Sequence, residues 1–363
     1  MAHLGPLLAQ VPVGKLRPLL AAGEVNHVGE AIAMVVAEDR YIAQDAVEAI
    51  EVDFDELPAV IDLRKAASDE VVIHEELGSN VLHTWTYHGY WEALGLEDQT
   101  PQVDEAMQRE DAVVVSLDMV NQRLIPVAIE PRSVLAEYEP GYGRLTVHSS
   151  TQVPHALAGA IATQLEMSIR DVRVVAPEVG GGFGCKLNVY NDEILVAWAS
   201  RELGRPVKWT ETRREAAGAT IHGRGWVATA TLVGTRDGQF LGYKLEGIAD
   251  MGAYSQNFTV AIPLLGLWIA SGQYKMPVSW TVDCVVTNTM TTDAYRGAGR
   301  PEAIYYLERI IDAYAREIGM DPIEVREKNF WQPEEFPATL GCGFALDSGD
   351  YAAATQRLKE IAD

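Results

Sequence analysis

The most chemically suggestive residues of this chain are Val179 to Lys186, Val-Gly-Gly-Gly-Phe-Gly-Cys-Lys. A run of glycines removes every β-carbon from a turn, so backbone N–H groups can crowd against an anionic ligand and adopt positive φ without strain. The spacing fits neither common nucleotide fingerprint. Counted from Gly180, the last position of G-x-G-x-x-G falls on Cys185, and a P-loop would need Gly before Lys186 and Ser or Thr in place of Leu187. An anionic group of another kind is expected here; the plain alternative is a tight turn that holds nothing. A second cluster runs from Thr291 to Glu302 and places Arg296 and Arg300 among small residues directly before a helix, with Pro301 suited to its first turn. A helix N-terminus with free N–H groups and two arginines is a second place for oxyanions. The alternative pairs both arginines with carboxylates, which this chain has in excess.

These residues need elements to hold them. Val172 to Val179 is β-branched and predicts a strand before the glycine run; Glu193 to Leu203 predicts a helix after it, stopped by Gly204, and Pro206 to Thr210 a further strand. Ile304, Leu307, Ile310, Ile311, Tyr314 and Ile318 recur at three- and four-residue spacing, and Gly319 stands where a helix stop belongs. Near the start, residues 30 to 37 alternate as a strand, Arg40 to Ala49 has helical period, and Ile50 to Phe54 returns to strand, so an α/β unit closes near Asp62. Residues 67 to 101 look irregular, with Gly78, Gly89 and Gly95 among the aromatics Trp85, Tyr87, Tyr90 and Trp91, and suggest a linker draped over the next domain. Beyond it, the runs Val113–Met119, Arg144–Ser149, Val227–Val233 and Trp280–Val286 predict short strands among helices, hence an α+β class.

Composition bounds the function. With 363 residues, 48% of them hydrophobic, the chain has ample material for a core and length for two or three domains. Lys and Arg number 29 against 52 Asp and Glu, a net −23, so phosphate-rich nucleic acid is excluded as a partner. Cys185, Cys284 and Cys342 are far apart with no C-x-x-C spacing, which predicts reduced thiols and a cytoplasmic setting, not a disulfide frame or a zinc or iron–sulfur site. The most apolar stretch, Phe258 to Ala270, is short of the ~20 residues a membrane span needs and contains Pro263. No signal peptide, internal repeat or low-complexity tract is evident.

Gly-Gly-Gly-Phe-Gly-x-Lys at 180–186 and Ala-Tyr-Arg-Gly-Ala-Gly-Arg-Pro-Glu at 294–302 together resemble the two signature segments of the molybdenum-binding large subunit of the xanthine dehydrogenase, aldehyde oxidase and aerobic carbon monoxide dehydrogenase family. Further matches run along the chain: Val28 to Arg40, Leu57 to Val60, Glu130-Pro-Arg132, Ser150-Thr-Gln152 with Pro154-His155, and Asp321 to Phe330. The resemblance implies a partial α/β hammerhead-like domain over 1–66, a linker over 67–102, and the first molybdopterin-binding domain over 103–363. It also implies an internal fragment that lacks both ends of the family subunit, including the second half of the cofactor region and the glutamate that acts as general base. The implied cofactor is molybdopterin, in its cytosine dinucleotide form, carrying molybdenum; no side chain ligates the metal directly. Iron–sulfur and FAD subunits would take the electrons, in a dimer of heterotrimers.

Residue by residue, Gln152 aligns with the glutamine whose amide hydrogen-bonds an oxygen ligand of the metal. Gly182, Phe183 and Gly184 align with the turn that approaches the oxo group, and Arg296 with Gly297 aligns with the segment whose backbone borders the metal. Alone, Gln152 could be a turn residue and Arg296 a salt-bridged core arginine. Departures from the pattern narrow the chemistry. Carbon monoxide dehydrogenases follow the signature arginine with a copper-binding cysteine, and here the position is Gly297; Cys185 and Cys284 read better as small core hydrophobes. Xanthine dehydrogenases have a glutamate and a stacking aromatic where this chain has Leu187 and Ala298, and their upstream purine-binding arginine is replaced within Pro263 to Leu267. Carbon monoxide and xanthine are therefore disfavoured, and an aldehyde or N-heteroaromatic is expected in an apolar pocket bordered by Leu187 and Ala298. The implied reaction is hydroxylation with water as the oxygen source. The alternatives are a non-catalytic truncated subunit or an anion-binding module without cofactor.

Overall fold

The computed structural model describes residues 14–88, 97–340 and 344–362. Gly89, Tyr90, Trp91, Gly95 and Cys342 lie outside the described residues. Near the start, helix α1 (Arg40–Glu48) forms as its period requires, with Asp39 Oδ1 accepting from the N–H groups of Tyr41 and Ile42 at 2.8 and 3.0 Å. The strands expected on either side, at 30–37 and 50–54, are not formed. A strand needs a ladder partner as well as alternation, and none faces these segments among the described residues, so Ile32, Val36, Val52 and Phe54 stay exposed. Helix α2 (Leu63–Ala67), capped by Asp62, packs its buried Ala66 with Val60 and Val285.

The segment expected to be an irregular linker carries strand β1 (Val81–Thr86), the edge of the main sheet, and helix α3 begins at Thr100 and runs to Met107. Trp85 and Tyr87 are buried, and the Trp85 indole donates to the Val260 carbonyl at 2.6 Å. This pairing escapes sequence reading because its partner lies some two hundred residues downstream. The remaining strands are β2 (Ala112–Asn121), β3 (Ser133–Glu139), β4 (Arg144–Ser149), β5 (Val172–Val175), β6 (Val207–Thr210), β7 (Trp226–Thr235), β8 (Phe240–Gly252), β9 (Val278–Val286), β10 (Ala338–Thr339) and β11 (Ala345–Leu346). Strand β5 is shorter than the Val172–Val179 run predicts; Pro177 has no N–H for a ladder.

The larger sheet has the order β1-β9-β8-β7-β2, antiparallel except for the parallel β8–β9 pair. The smaller has the order β5-β4-β3-β6, with β4 and β5 parallel. Helices α4 (Pro154–Gln164) and α5 (Asn191–Leu203) pack on the smaller sheet around Val134, Leu145, Val147, Leu157 and Ile194. Gly204 ends α5 with φ 61, as its position predicts. Helix α6 (Arg213–Ala219) follows β6, and the apolar stretch from Phe258 contains the buried turn of helix α7 (Ile262–Leu267). Helix α8 (Arg300–Ile318) lies against β2 and β7 and ends at Gly319 with φ 70. Its buried Leu307, Ile310 and Ile311 each contribute about 1.5–3 kcal/mol of burial. Helices α9 (Pro322–Asn329) and α10 (Tyr351–Ala362) complete the described chain. Among the described residues no helix is long and apolar enough to cross a membrane.

These connections bring three loops together. The β4–α4 turn carries Gln152 and the β5–α5 connection carries the glycine run, so both leave the carboxyl ends of neighbouring parallel strands, where α/β crevices open. The β9–α8 connection delivers Arg296 to the same place.

Candidate functional site

The glycine run and the arginine segment touch: the Arg296 N–H donates to the Phe183 carbonyl at 2.8 Å. The Arg296 guanidinium lies 5.9 Å from the centroid of the Phe183 ring. Gln152 joins from the third loop. Its Oε1 accepts from the N–H groups of Gly184 and Lys186 at 3.0 and 3.2 Å, and its own N–H donates to the Lys186 carbonyl at 2.8 Å. With the oxygen used twice, the amide nitrogen is left as the outward group, and it has no partner among the described residues. Gln152, Phe183, Arg296 and Gly297 are all exposed, so nothing apolar among the described residues plugs the place where they meet.

The glycines serve a different purpose from the one their lack of side chains suggests. A β-carbon on Gly182 would lie 2.5 Å from Gln152 Oε1, one on Gly184 1.9 Å from the Ala294 carbonyl oxygen, and one on Gly180 2.5 Å from Glu130 Cβ. The missing side chains thus make room for the protein's own neighbours, which seat Gln152 and the 294–298 segment on the loop. What faces outward is backbone: the N–H groups of Gly181, Gly182 and Phe183 donate to nothing among the described residues. Phe183 and Ala298 hold φ values of 56° and 44°, a left-handed conformation costing a side-chain-bearing residue of order 1–3 kcal/mol, and such strain gathers at ligand clamps.

Behind this face lies a buried electrostatic frame. Glu130 Oε2 accepts from Gly180 N–H at 2.6 Å, Ser150 Oγ at 2.8 Å and Lys186 Nζ at 2.8 Å, fastening both ends of the glycine run. Burial opposes ionisation of Glu130, yet these donors outweigh it and hold the carboxyl below its ordinary range. Arg132 is buried, forms a bidentate pair with Asp192 at 2.7 Å, donates to Glu211 at 2.8 Å, and lies 3.7 Å over the Tyr190 ring. Burial pushes the Glu193 carboxyl up to about 7 and that of Asp293 up to about 6. It also raises the Cys185 and Cys284 thiols; both are buried and free, as small core residues should be.

Arg296 is no salt-bridged core arginine: it is exposed, and neither it nor Arg300 pairs with a carboxylate among the described residues. The buried ion pair at this position belongs instead to Arg224, which reaches Glu302 at 3.3 Å, and sequence reading missed it. A lone arginine between Gly223 and Gly225 carries no spacing signal when its partners lie more than seventy residues away. Leu187 and Ala298 are partly buried and border the main core beside the two signature loops.

The donors present fit an oxygen-bearing anionic group: outward backbone N–H groups, the Gln152 amide nitrogen and an unpaired guanidinium. Among the described residues no group of three or more His, Cys, Asp or Glu converges as a metal site.

Comparison with known proteins agrees with this chemistry. The profile of the molybdopterin cofactor-binding domain matches residues 73–330, and that of the aldehyde oxidase and xanthine dehydrogenase a/b hammerhead domain matches residues 8–58. The carbon monoxide dehydrogenase large chain of Hydrogenophaga pseudoflava is 36% identical over 369 residues, covering 99% of this chain and 45% of the relative. The nicotine 6-hydroxylase large subunit of Paenarthrobacter nicotinovorans is 31% identical, covering 95% of this chain and 41% of the relative. The crystal structure of quinoline 2-oxidoreductase from Pseudomonas putida 86 superposes with a TM-score of 0.88 at 31% identity, covering 99% of this chain and 46% of that one. The chain therefore spans less than half the length of these relatives. Profile, relatives and shared architecture agree: the chain belongs to the molybdenum hydroxylase large-subunit family of aldehyde oxidases, xanthine dehydrogenases and carbon monoxide dehydrogenases.

Proposed function

We propose that this chain forms the first part of the cofactor-binding region of a molybdenum hydroxylase that oxidises an aldehyde or N-heteroaromatic carbon, with water as the oxygen source. The domains implied by resemblance, 1–66, 67–102 and 103–363, are carried into this reading, with cytoplasmic separate iron–sulfur and FAD subunits as electron acceptors. The observation that carries it is the 2.8 Å contact between the two signature loops, beside a glutamine whose amide nitrogen is forced outward. A molybdenum–pterin group bound there, in the cytosine dinucleotide form on this reading, supplies two-electron redox chemistry. The protein's share is positional. The Gln152 amide and the Gly181–Phe183 N–H groups would hold oxygen atoms of the group, Arg296 would offset its negative charge, and Gly184 and Gly297 keep the backbone close. Leu187 and Ala298 would line the substrate side by apolar contact, which suits a flat heterocycle or an aldehyde better than a charged purine. Gly297 offers no thiolate for copper, and the thiols of Cys185 and Cys284 are buried and held protonated, so the reading excludes copper-dependent carbon monoxide oxidation.

The test is elemental. The chain would be purified together with its companion polypeptides, its molybdenum measured by mass spectrometry and its pterin by fluorescence after acid oxidation. Near-stoichiometric metal and pterin, with turnover of an aldehyde or heterocycle panel, is the expected result. Absence of both from the complex would leave an anion-binding module or truncated subunit in its place.

A further inference from the structure

Arg224 is 9% exposed and uses its guanidinium at three points: Nη1 donates to the Tyr295 carbonyl at 3.1 Å and to Glu302 Oε1 at 3.3 Å, and Nη2 donates to the Arg296 carbonyl at 2.9 Å. Its plane also lies 4.6 Å from the centroid of the Tyr295 ring. The two carbonyls belong to one tight turn. Ala298 N–H donates to the Tyr295 carbonyl at 2.7 Å, Gly297 at the third position has φ 103, and Arg296 before it keeps an ordinary negative φ. That is a type II turn, whose central peptide differs from that of a type I turn by a flip of roughly half a rotation, and glycine at the third position tolerates either state. A peptide group is planar and trans, so its C=O and N–H point in opposite directions. Holding the Arg296 carbonyl inward therefore aims the Gly297 N–H outward, and that N–H has no acceptor among the described residues.

We infer that Arg224 is a positioning residue that locks the 296–297 peptide in its type II orientation and presents the Gly297 N–H, beside Phe183, as a donor to an oxyanion. Only the last clause rests on the proposed function; the lock is a property of this chain alone. Two carbonyls and a carboxylate reached from two separate guanidinium nitrogens suit an arginine fork, whereas an ammonium at the end of a lysine is a single point and cannot span them.

The test uses the whole chain with carbonyl-13C arginine and 15N glycine. Only Gly225 and Gly297 follow arginine in this sequence, so two labelled pairs are visible, and any substitution of Arg224 removes the first. Arg224→Lys keeps a charge beside Glu302. Arg224→Met with Glu302→Gln removes both charges, so a folding defect from a stranded carboxylate does not decide the result. The expected outcome is that the Gly297 signal shifts or doubles in both variants, while the bulk of the remaining glycine signals in the plain 15N spectrum stay in place. An unmoved Gly297 signal overturns the lock. In the complex with companion polypeptides, molybdenum content is expected to fall at least about fivefold in Arg224→Lys. Unchanged content with a moved signal overturns the role towards the ligand. A wild-type complex without molybdenum, with the signal still moving, overturns the functional reading alone and leaves the lock supported.

Discussion

Gln152 Oε1 holds two backbone N–H groups and so fixes which end of the amide faces solvent. Gln152→Glu keeps an acceptor for both donors while replacing the outward N–H₂ with an oxygen. Its unfolding free energy is expected to stay within about 1 kcal/mol of wild type, with molybdenum content of the complex sharply reduced; equal metal content in the two proteins would remove Gln152 from the site. Gly184→Ala separates packing from ligand contact differently. The added carbon would meet the Ala294 carbonyl at 1.9 Å on a backbone with φ 96, and backbone cannot swing aside as a side chain can. A loss of roughly 2–4 kcal/mol in urea unfolding is expected, and a cost below about 1 kcal/mol would mean the two loops are not held in contact.

Helix α5 follows the glycine-rich run, starting at Asn191, and is fastened at its first turn by charge. Arg132 joins it to the sheet through Asp192, and to the end of β6 through Glu211. Arg132→Met would strand both carboxylates and is expected to cost about 3–5 kcal/mol by chemical denaturation. The same turn buries Glu193, which accepts from Ser149 Oγ at 2.5 Å and from Tyr190 N–H at 2.9 Å. Burial, aided by the neighbouring Asp192 charge, raises its pKa to about 7, so the folded state holds this proton more tightly than the unfolded chain does. The sign follows: the contribution is fully present below an unfolded carboxyl value of about 4.3, is lost as pH rises through about 7, and is flat above that. Asp293, raised to about 6, acts in the same direction. Stability is therefore expected to decline between about pH 4 and pH 7, and Glu193→Gln to flatten that decline; parallel pH profiles for the two proteins would show that Glu193 titrates normally.

Across the whole molecule, protection from solvent is uneven. The two sheets and their helices enclose the main cores, whereas residues 31–57 form one short helix without a buried residue, and Phe54 and Leu57 are 58% and 65% exposed. Limited proteolysis with a broad-specificity protease is expected to cut first within 31–57 and to leave a resistant product spanning the two sheets, read by intact mass. First cuts between 172 and 330 would contradict this order of stability.

Much of this was legible in order along the chain. The helix from Arg300 to Ile318 with its glycine stop, the helix ending at Gly204, and strands such as Arg144–Ser149 follow from local periodicity and terminators, because the forces that set them act within a few residues. The two signature segments were also visible as motifs. Tertiary structure alone decided what depends on partners far away in sequence: that β1 joins the main sheet, that 30–37 and 50–54 find no strand to pair with, and that the glycines admit Gln152, Glu130 and Ala294. It also decided that, of the arginines at the 294–302 segment's turn, Arg224 is buried and Arg296 is exposed. Hydrogen bonding and desolvation depend on which groups meet in space, and a chain's own periodicity carries no record of a contact made across seventy or two hundred residues.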